Sequence, residues 1–385
     1  MNPLAALARE GREVTALAKR VAEGRVPPPG DLAGAALLVP LAGASHDPVH
    51  HAEGDPLVHT HMVAEELVRL NGFAALADDA RLALSLAALL HDVAKPQTVD
   101  VVDGRVSHPN HAPRGARVAR AALYAAGLDP SVREATAALC RRHMQPHHAL
   151  ASRANDASLL RWMAATSLDV PMRLLLMLAE ADARGRAGPK TDDSAAVLRL
   201  FAEEHDLLDR AWTFADLPAR RDCCRDAPRD PRFPTGAPEG RPTVTVLSGL
   251  PASGKSSAAR EVEAERISVE DLLSEGWERG RAVQACRERL REALREKRDA
   301  VWDATMLTRT LRRQVVSLAE DYGARAAIAC VEVPEEERAA RNRERASPVP
   351  DAAVADMLAS WEMPTFDEAL VVTGRPARLE TGQGA

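Results

Sequence analysis

Two groups of residues in this chain have the types and spacing for phosphate chemistry. Gly249-Leu250-Pro251-Ala252-Ser253-Gly254-Lys255-Ser256 fits the pattern GxxxxGK[ST] without a mismatch. In such a loop the backbone N–H groups and the following helix N-terminus cradle phosphate oxygens. The lysine reaches the terminal phosphates and the last hydroxyl holds Mg²⁺. The apolar run TVTVLS (243–248) precedes the loop and a helical pattern opens at Ser257, so strand, loop and helix follow in the required order. Gly249, Ser253, Gly254, Lys255, Ser256 and Ser257 are therefore candidate contacts to a nucleoside triphosphate.

The second group centres on Leu89-Leu90-His91-Asp92-Val93-Ala94-Lys95. A His-Asp pair in an apolar helical segment is costly to bury without a partner, and both side chains can ligate one divalent ion. Lys95 lies four residues after His91, on the same helical face, where it can meet a substrate phosphate. His59, His111, His143 and Asp182 are further candidate ligands. They come from separate helices or helix ends, which suits a bundle focusing ligands inward. Histidine with carboxylate suits Mn, Fe, Co, Ni or Zn, so ligand type alone does not choose the metal. Arg186, just after Asp182, either binds phosphate or is solvated.

Phosphoryl transfer also needs a base for the acceptor hydroxyl and cations for the transferring group. Glu270 and Asp271 follow a strand pattern ending near Val269, and either carboxylate can serve as base. Val301-Trp302-Asp303 is a second strand ending in a carboxylate. Arg338, Arg341, Arg343 and Arg345 form a basic helical run before Pro348. Arg341 and Arg345 are four apart and share a face, as in a phosphate-clamping lid. Taken alone, the run reads equally as a solvated helix paired with Glu335, Glu336 and Glu337.

These residues need two different frameworks. Of the twelve histidines, eleven fall between His46 and His148 and none follows His205. Apolar residues at three- and four-residue spacing predict helices over 4–22, 57–70, 81–94, 114–126, 131–143 and 171–184. A small hairpin is expected around Val101–Val106. The later part alternates, with strands expected at 243–248, 265–269, 299–303 and 326–333 and helices between them, the pattern of a parallel sheet. The fold class is thus multi-domain: an all-α helical bundle over 1–220, a Pro-rich linker over 221–242 with prolines at 228, 231, 234, 238 and 242, and an α/β domain over 243–385. The net charge of −6 gives no global nucleic-acid signature. Five cysteines without a CxxC pair suit a reducing cytoplasm. The apolar run from Leu32 to Ala44 is short and holds Pro40, so neither a signal peptide nor a membrane contact is expected.

The first constellation resembles the HD phosphohydrolase superfamily, above all the HD domains of bacterial tRNA nucleotidyltransferases. There a HTxMV helix, an LLHDxxK segment and an EADARGR segment recur in this order. The likeness, over roughly residues 50–190, implies one metal on His59, His91, Asp92 and Asp182. His111 and His143 fall where two-metal members bind a second ion. It favours His59 over His61, and leaves His46, His50, His51, His108, His147 and His148 as polar loop residues. The order GxPxSGKS, ISx[DE]D, DxTxLxRxxR, then VPxxE…RNRER…PVP is similar to phage-type 5′-OH polynucleotide kinases. That likeness implies Lys255 and Ser256 on phosphate and Mg²⁺ (or Mn²⁺) with ATP or another NTP. It also implies an acidic base in the 270–271 pair, lid arginines Arg341 and Arg345, and Asp303 and Arg312 on the acceptor side. The chain departs from the pattern at Leu273, where an arginine is usual, with Arg279 or Arg281 as candidate substitutes.

Together the halves resemble bacterial HD-phosphatase–kinase fusions of RNA end healing. The resemblance implies removal of 2′-, 3′- or 2′,3′-cyclic phosphate, phosphorylation of 5′-hydroxyl ends of RNA or DNA, and a separate RNA ligase acting on the products. Two other readings stand beside it: an HD nucleotidase joined to a small-molecule or nucleoside kinase, and an HD domain sensing a nucleotide to regulate the kinase. A tRNA nucleotidyltransferase is disfavoured, because no GS…DxD signature precedes the HD region.

Overall fold

The computed structural model describes residues 2–45, 54–103, 105–153, 155–187, 193–236 and 240–382. The chain divides into two compact units, residues 1–213 with 376–385, and residues 214–375.

The first unit is helical. Its helices are α1 (Pro3–Ala22), α2 (Pro29–Leu32), α3 (Pro56–Arg69), α4 (Asp78–Leu90), α5 (His111–Ala125), α6 (Pro130–Arg142), α7 (Gln145–Ser152), α8 (Asp156–Ser167), α9 (Met172–Arg184) and α10 (Ser194–Glu204). Asp55 and Asp129 cap α3 and α6 with their carboxylates, each followed by proline at the first helical position. Every residue from Ala83 to Leu90 is buried, so α4 is apolar all round and central. It packs on α3, α6 and α9, the helices that carry or end beside the other candidate ligands. The helix ends at Leu90, earlier than the periodicity predicts, and His91 is its C-cap. Arg120 on α5 reaches Glu134 on α6 at 2.7 Å, tying together the two helices that deliver His111 and His143. Burial opposes the Glu134 charge, but Arg120 and Arg133 hold its pKa down at about 2. The expected hairpin is present as β1 (Asp100–Val102) and β2 (Arg105–Ser107).

The second unit opens with α11 (Leu217–Cys224), inside the segment read as domain end and linker. Pro218 at the helix start and Asp216 as N-cap favour it, so only the later prolines break the chain. There follow β3 (Thr243–Ser248), α12 (Lys255–Glu261), β4 (Glu265–Ser268), α13 (Val269–Ser274), α14 (Arg279–Arg295), β5 (Ala300–Asp303), α15 (Arg309–Asp321), β6 (Arg325–Cys330), α16 (Glu335–Arg343), α17 (Asp351–Ser360) and β7 (Val371–Thr373). The sheet is parallel throughout, in the order β4-β5-β3-β6-β7. The register pairs Ser268 with Asp303 and Ser248 with Cys330, so the C-terminal ends of four strands lie along one edge, where doubly wound folds place ligands. The three-residue strand β7 was not anticipated, being too short for alternation to show.

The expected boundaries also shift at the C-terminus. Residues 376–382 belong to the helical unit. There Leu379 is buried in its core, Thr381 donates to Asp209 at 2.6 Å, and Ala77 N donates to Thr381 O at 2.9 Å. Among the described residues, no single helix is long and apolar enough to cross a membrane.

Candidate functional sites

In the helical unit six side chains converge as two sets of three, His59 with His91 and Asp182, and Asp92 with His111 and His143. Within each set the ligand atoms all lie within 4.8 Å of one another. All six residues are buried. Asp92 stands between the sets. Its Oδ2 lies 3.3 Å from His91 Nε2 and 4.0 Å from His59 Nε2, while its Oδ1 lies 3.5 Å from His111 Nε2 and 3.8 Å from His143 Nε2.

The backbone aims three of these rings by one device. Nδ1 of His91 meets the Ala88 carbonyl at 2.9 Å, Nδ1 of His111 meets that of His108 at 2.8 Å, and Nδ1 of His143 meets that of Cys140 at 2.8 Å. A carbonyl only accepts, so Nδ1 carries the proton and Nε2 turns its lone pair into the cluster. Each ring sits at a helix end: His91 and His143 cap α4 and α6, and His111 opens α5. His61 turns away to the Pro27 carbonyl at 3.1 Å, so the structure brings in His59 and leaves His61 out.

The charge states suit metal ligands, which must be unprotonated at the donor atom. Burial, with neighbouring His91, pushes His143 down to about 3, and burial lowers His111 as well. Burial opposes ionisation of Asp92, yet His91 and Lys95 hold its carboxyl well below the usual range. Asp182 is held low in the same way against burial, by Arg186 and by hydrogen bonds with His147 and His59. His91 Nε2 and Asp92 Oδ1 are buried without a hydrogen-bond partner. Two inward-facing lone-pair atoms left unsatisfied fit a site for divalent cations.

Three expectations change. Lys95 begins a 3₁₀ turn rather than continuing α4, and its ammonium sits 2.7 Å from Asp92 Oδ2. His147 is no loop residue: it lies on α7, with Nε2 3.0 Å from Asp182 Oδ2. Arg186 is committed to the same oxygen, at 2.7 Å, rather than solvated. Only the doubled His147-His148 after Pro146 hinted at this, and it gave no means of choosing between the two. His148 is exposed on the same helix, and His108 lies ahead of α5 with Nδ1 3.0 Å from the Lys95 carbonyl. His46, His50 and His51 lie outside the described residues.

In the second unit the loop from Gly249 to Gly254 joins β3 to α12. A Cβ at Gly249 would stand 2.1 Å from the Val331 carbonyl oxygen, and Gly254 has φ +101°, so both positions require glycine. Lys255 and Ser256 are the first two residues of α12, with Ser257 exposed beyond them. Lys255 is buried and donates to the Leu250 carbonyl at 2.8 Å. Burial pushes its pKa down to about 8, against the pull of Glu270 and Asp303. Ser253 Oγ is buried in the loop without a hydrogen-bond partner.

The carboxylate pair separates. Asp271 is paired with Arg266 at 2.7 Å, and Arg266 also holds the buried Asp303 at 2.8 Å. Glu270 instead lies 3.6 Å from Arg345 and acts electrostatically on Lys255. Arg341 lies against the loop: a Cβ on Gly254 would meet its Nη1 at 3.2 Å. Its other amine pairs with Glu337. The helix expected to carry both lid arginines stops at Arg343, so Arg345 reaches Glu270 from the turn beyond it. Arg338 is buried and paired with Glu335, which places it in the framework.

Arg312 does not face the acceptor side. It is fully buried, with Nε and Nη2 on the Glu368 carboxylate at 2.7 and 2.9 Å and Nη1 on the carbonyls of Met306, Leu307 and Glu362. Its guanidinium fastens α15 to the segment before β7. Arg279 and Arg281, the candidate substitutes for the arginine missing at Leu273, are exposed at the start of α14. Arg266 is not among the residues its local sequence singles out, because its bond to Asp303 arises only where β4 pairs with β5.

The fold and these two clusters define a two-part protein of phosphate chemistry. Residues 57–209 match the HD domain family and residues 244–364 match a family described as AAA domain. The chain carries an HD domain followed by a P-loop domain. It is 34% identical over 158 residues to the multifunctional CCA protein of Halorhodospira halophila, a match covering 40% of this chain and 35% of that protein. The chain thus matches about a third of that relative's length. A solved structure of the Pnkp1/Rnl/Hen1 RNA repair complex is similar at 20% identity and a TM-score of 0.29, over 33% of this chain and 46% of that one, too low to carry an argument.

Proposed function

We propose that this chain heals broken nucleic-acid ends, the HD unit removing a 2′-, 3′- or 2′,3′-cyclic phosphate and the P-loop unit phosphorylating a 5′-hydroxyl. The observation that supports it most is the pairing, in one chain, of a two-set His/Asp centre bridged by Asp92 with a phosphate loop flanked by Glu270, Arg341 and Arg345.

In the HD unit, His59, His91 and Asp182 would hold one divalent ion and His111 and His143 the other, with Asp92 shared between the two sets. When bound, such a pair polarises a phosphoryl oxygen and makes a water nucleophilic near neutral pH. Manganese, iron, cobalt, nickel or zinc suits the donors. His147 and Arg186 fix the Asp182 carboxylate, and Lys95 supplies a cation beside Asp92 for the phosphate of the substrate. In the P-loop unit, Lys255 and the loop amides would bind the β- and γ-phosphates of the NTP, and Ser256 would hold its Mg²⁺. Glu270 takes the proton as the 5′-oxygen attacks the γ-phosphorus and the bond to the nucleoside diphosphate breaks. Arg341 and Arg345 neutralise the charge spread over the transferring group.

The test offers the protein, charged with each divalent metal in turn, a 5′-OH, 2′,3′-cyclic-phosphate oligonucleotide and ATP. Conversion to 5′-phosphate and 3′-hydroxyl ends is expected. Unchanged ends beside hydrolysis of mononucleotides would move the reading to an HD nucleotidase with a small-molecule kinase.

The split between the two acidic neighbours makes a second prediction. Glu270→Gln is expected to slow 5′-phosphorylation by about 10²–10⁴-fold, the range for a lost general base. Asp271→Asn, whose partner Arg266 keeps Asp303, is expected to cost less than about tenfold on that scale. Rates of ATP-dependent end labelling compare them directly, and a larger loss in Asp271→Asn would reverse the assignment.

A further inference from the structure

Beside the HD cluster lies a cleft of about 540 Å³, within the size range of small-ligand sites. One wall is the end of the 3₁₀ turn and the residues after it, with Gln97, Thr98 and Asp100. The other is the start of α5, with Asn110, Arg114 and Arg117. Both walls adjoin residues of the cluster along the chain. Lys95 opens the turn that Gln97 closes, and His111 follows Asn110 in the chain. Gly115, next to Arg114, packs on the His91–Asp92 turn, where a Cβ would lie 3.5 Å from the His91 carbonyl oxygen. The same helix therefore meets the cluster at one residue and offers arginine to the cleft at the next.

The lining has a definite chemistry. Arg114 and Arg117 are three residues apart on one helix and both line the cleft. Arg114 Nη1 comes within 3.4 Å of the Gln97 carbonyl opposite it. Guanidinium forks bind phosphate oxygens in pairs, and Asp100 is the carboxylate among the described residues that line the cleft with them. Next to the cleft the β1–β2 hairpin exposes Val101 and Val102, each 58% accessible, and Val99 is 41% accessible. An arginine pair beside an exposed apolar ridge suits a ligand whose charged backbone alternates with flat apolar faces. In a chain of net charge −6 such a pair is not part of a general basic surface.

We propose that this cleft holds the phosphodiester strand leading into the terminal phosphate at the HD centre, making that unit selective for polynucleotide ends over mononucleotides. The proposal rests on the phosphohydrolase reading. It is tested with the full chain loaded with Mn²⁺, the double variant Arg114→Glu/Arg117→Glu, and the milder Arg114→Gln/Arg117→Gln with its thermal melt as a check on folding. The substrates are a ten-nucleotide strand with a 3′-phosphate and a 5′ fluorophore, which blocks the kinase unit, and a 3′-mononucleotide.

The KM for the strand is expected to rise at least tenfold, with less than a twofold change for the mononucleotide. Anisotropy with the strand ending in a slowly hydrolysed 3′-phosphorothioate is expected to show a Kd at least tenfold weaker. Its log–log salt slope should fall by about 1.4, for two phosphate contacts on a single strand. Equal losses on both substrates would assign the arginines to the metal centre, and unchanged strand binding would leave the cleft without this role. Either result overturns the proposal. If the unaltered protein hydrolysed neither substrate, the phosphohydrolase reading would fail, while the anisotropy comparison would still decide the cleft.

Discussion

Asp92→Asn is expected to abolish phosphate removal, by about 10³-fold or more, and to strip metal from both halves of the HD centre. The reason is its place between the sets: Oδ2 faces His91 and His59, and Oδ1 faces His111 and His143. Asparagine keeps the shape but replaces one oxygen by a donor amide and removes the charge that both ions would share. The loss of His143 alone, as His143→Ala, should remove one ion and leave the other. Metal content per chain, measured on dialysed protein, is expected near two for the unaltered chain, near one for His143→Ala and near zero for Asp92→Asn. Two retained ions in Asp92→Asn would refute the bridging role. Transfer to 5′-hydroxyl ends should be unchanged in both variants.

The complementary result is expected from Lys255→Ala: 5′-phosphorylation lost by about 10³-fold, with phosphate removal intact. Lys255 is buried at the head of α12 and points back to the Leu250 carbonyl, inside the loop that would wrap the phosphates. Burial already presses its pKa down to about 8, so a nearby polyphosphate stabilises its charge strongly. Alanine leaves the loop glycines and their backbone amides in place, so nucleotide affinity should fall less than the rate. Radiolabel transfer from ATP and binding of a non-hydrolysable analogue separate the two effects. Loss of both activities in both variants, with the protein still folded, would defeat the assignment of two independent sites.

The parts legible in the sequence were those with a fixed local spacing. GxxxxGKS fixes its own strand, loop and helix because the glycines are forced by close approach at Val331 and by a positive φ at Gly254. The His-Asp pair stood out because charge inside an apolar run needs a partner. Pairing across the fold was not legible. Nothing local distinguishes Arg312, locked on Glu368 fifty-six residues later, from an arginine facing a ligand. The union of Arg266 with Asp303 depends on adjacent parallel strands, and that of His147 with Asp182 on α7 meeting α9. Helix ends also eluded periodicity. Apolar spacing carries the predicted helix over 81–94 to Val93 and Ala94, yet the helix stops at Leu90 with His91 as its C-cap.

The return of residues 376–382 to the helical unit bears on how the protein is made. A ribosome delivers the chain from its start, and domains ordinarily fold in that order as they emerge. Here the helical core contains Leu379, and Asp209 receives Thr381. Those residues leave the ribosome only after the whole of 214–375 has been synthesised. The first unit to begin folding is therefore the last to be completed, and a message broken anywhere in the kinase-coding stretch yields an HD unit lacking its closing segment.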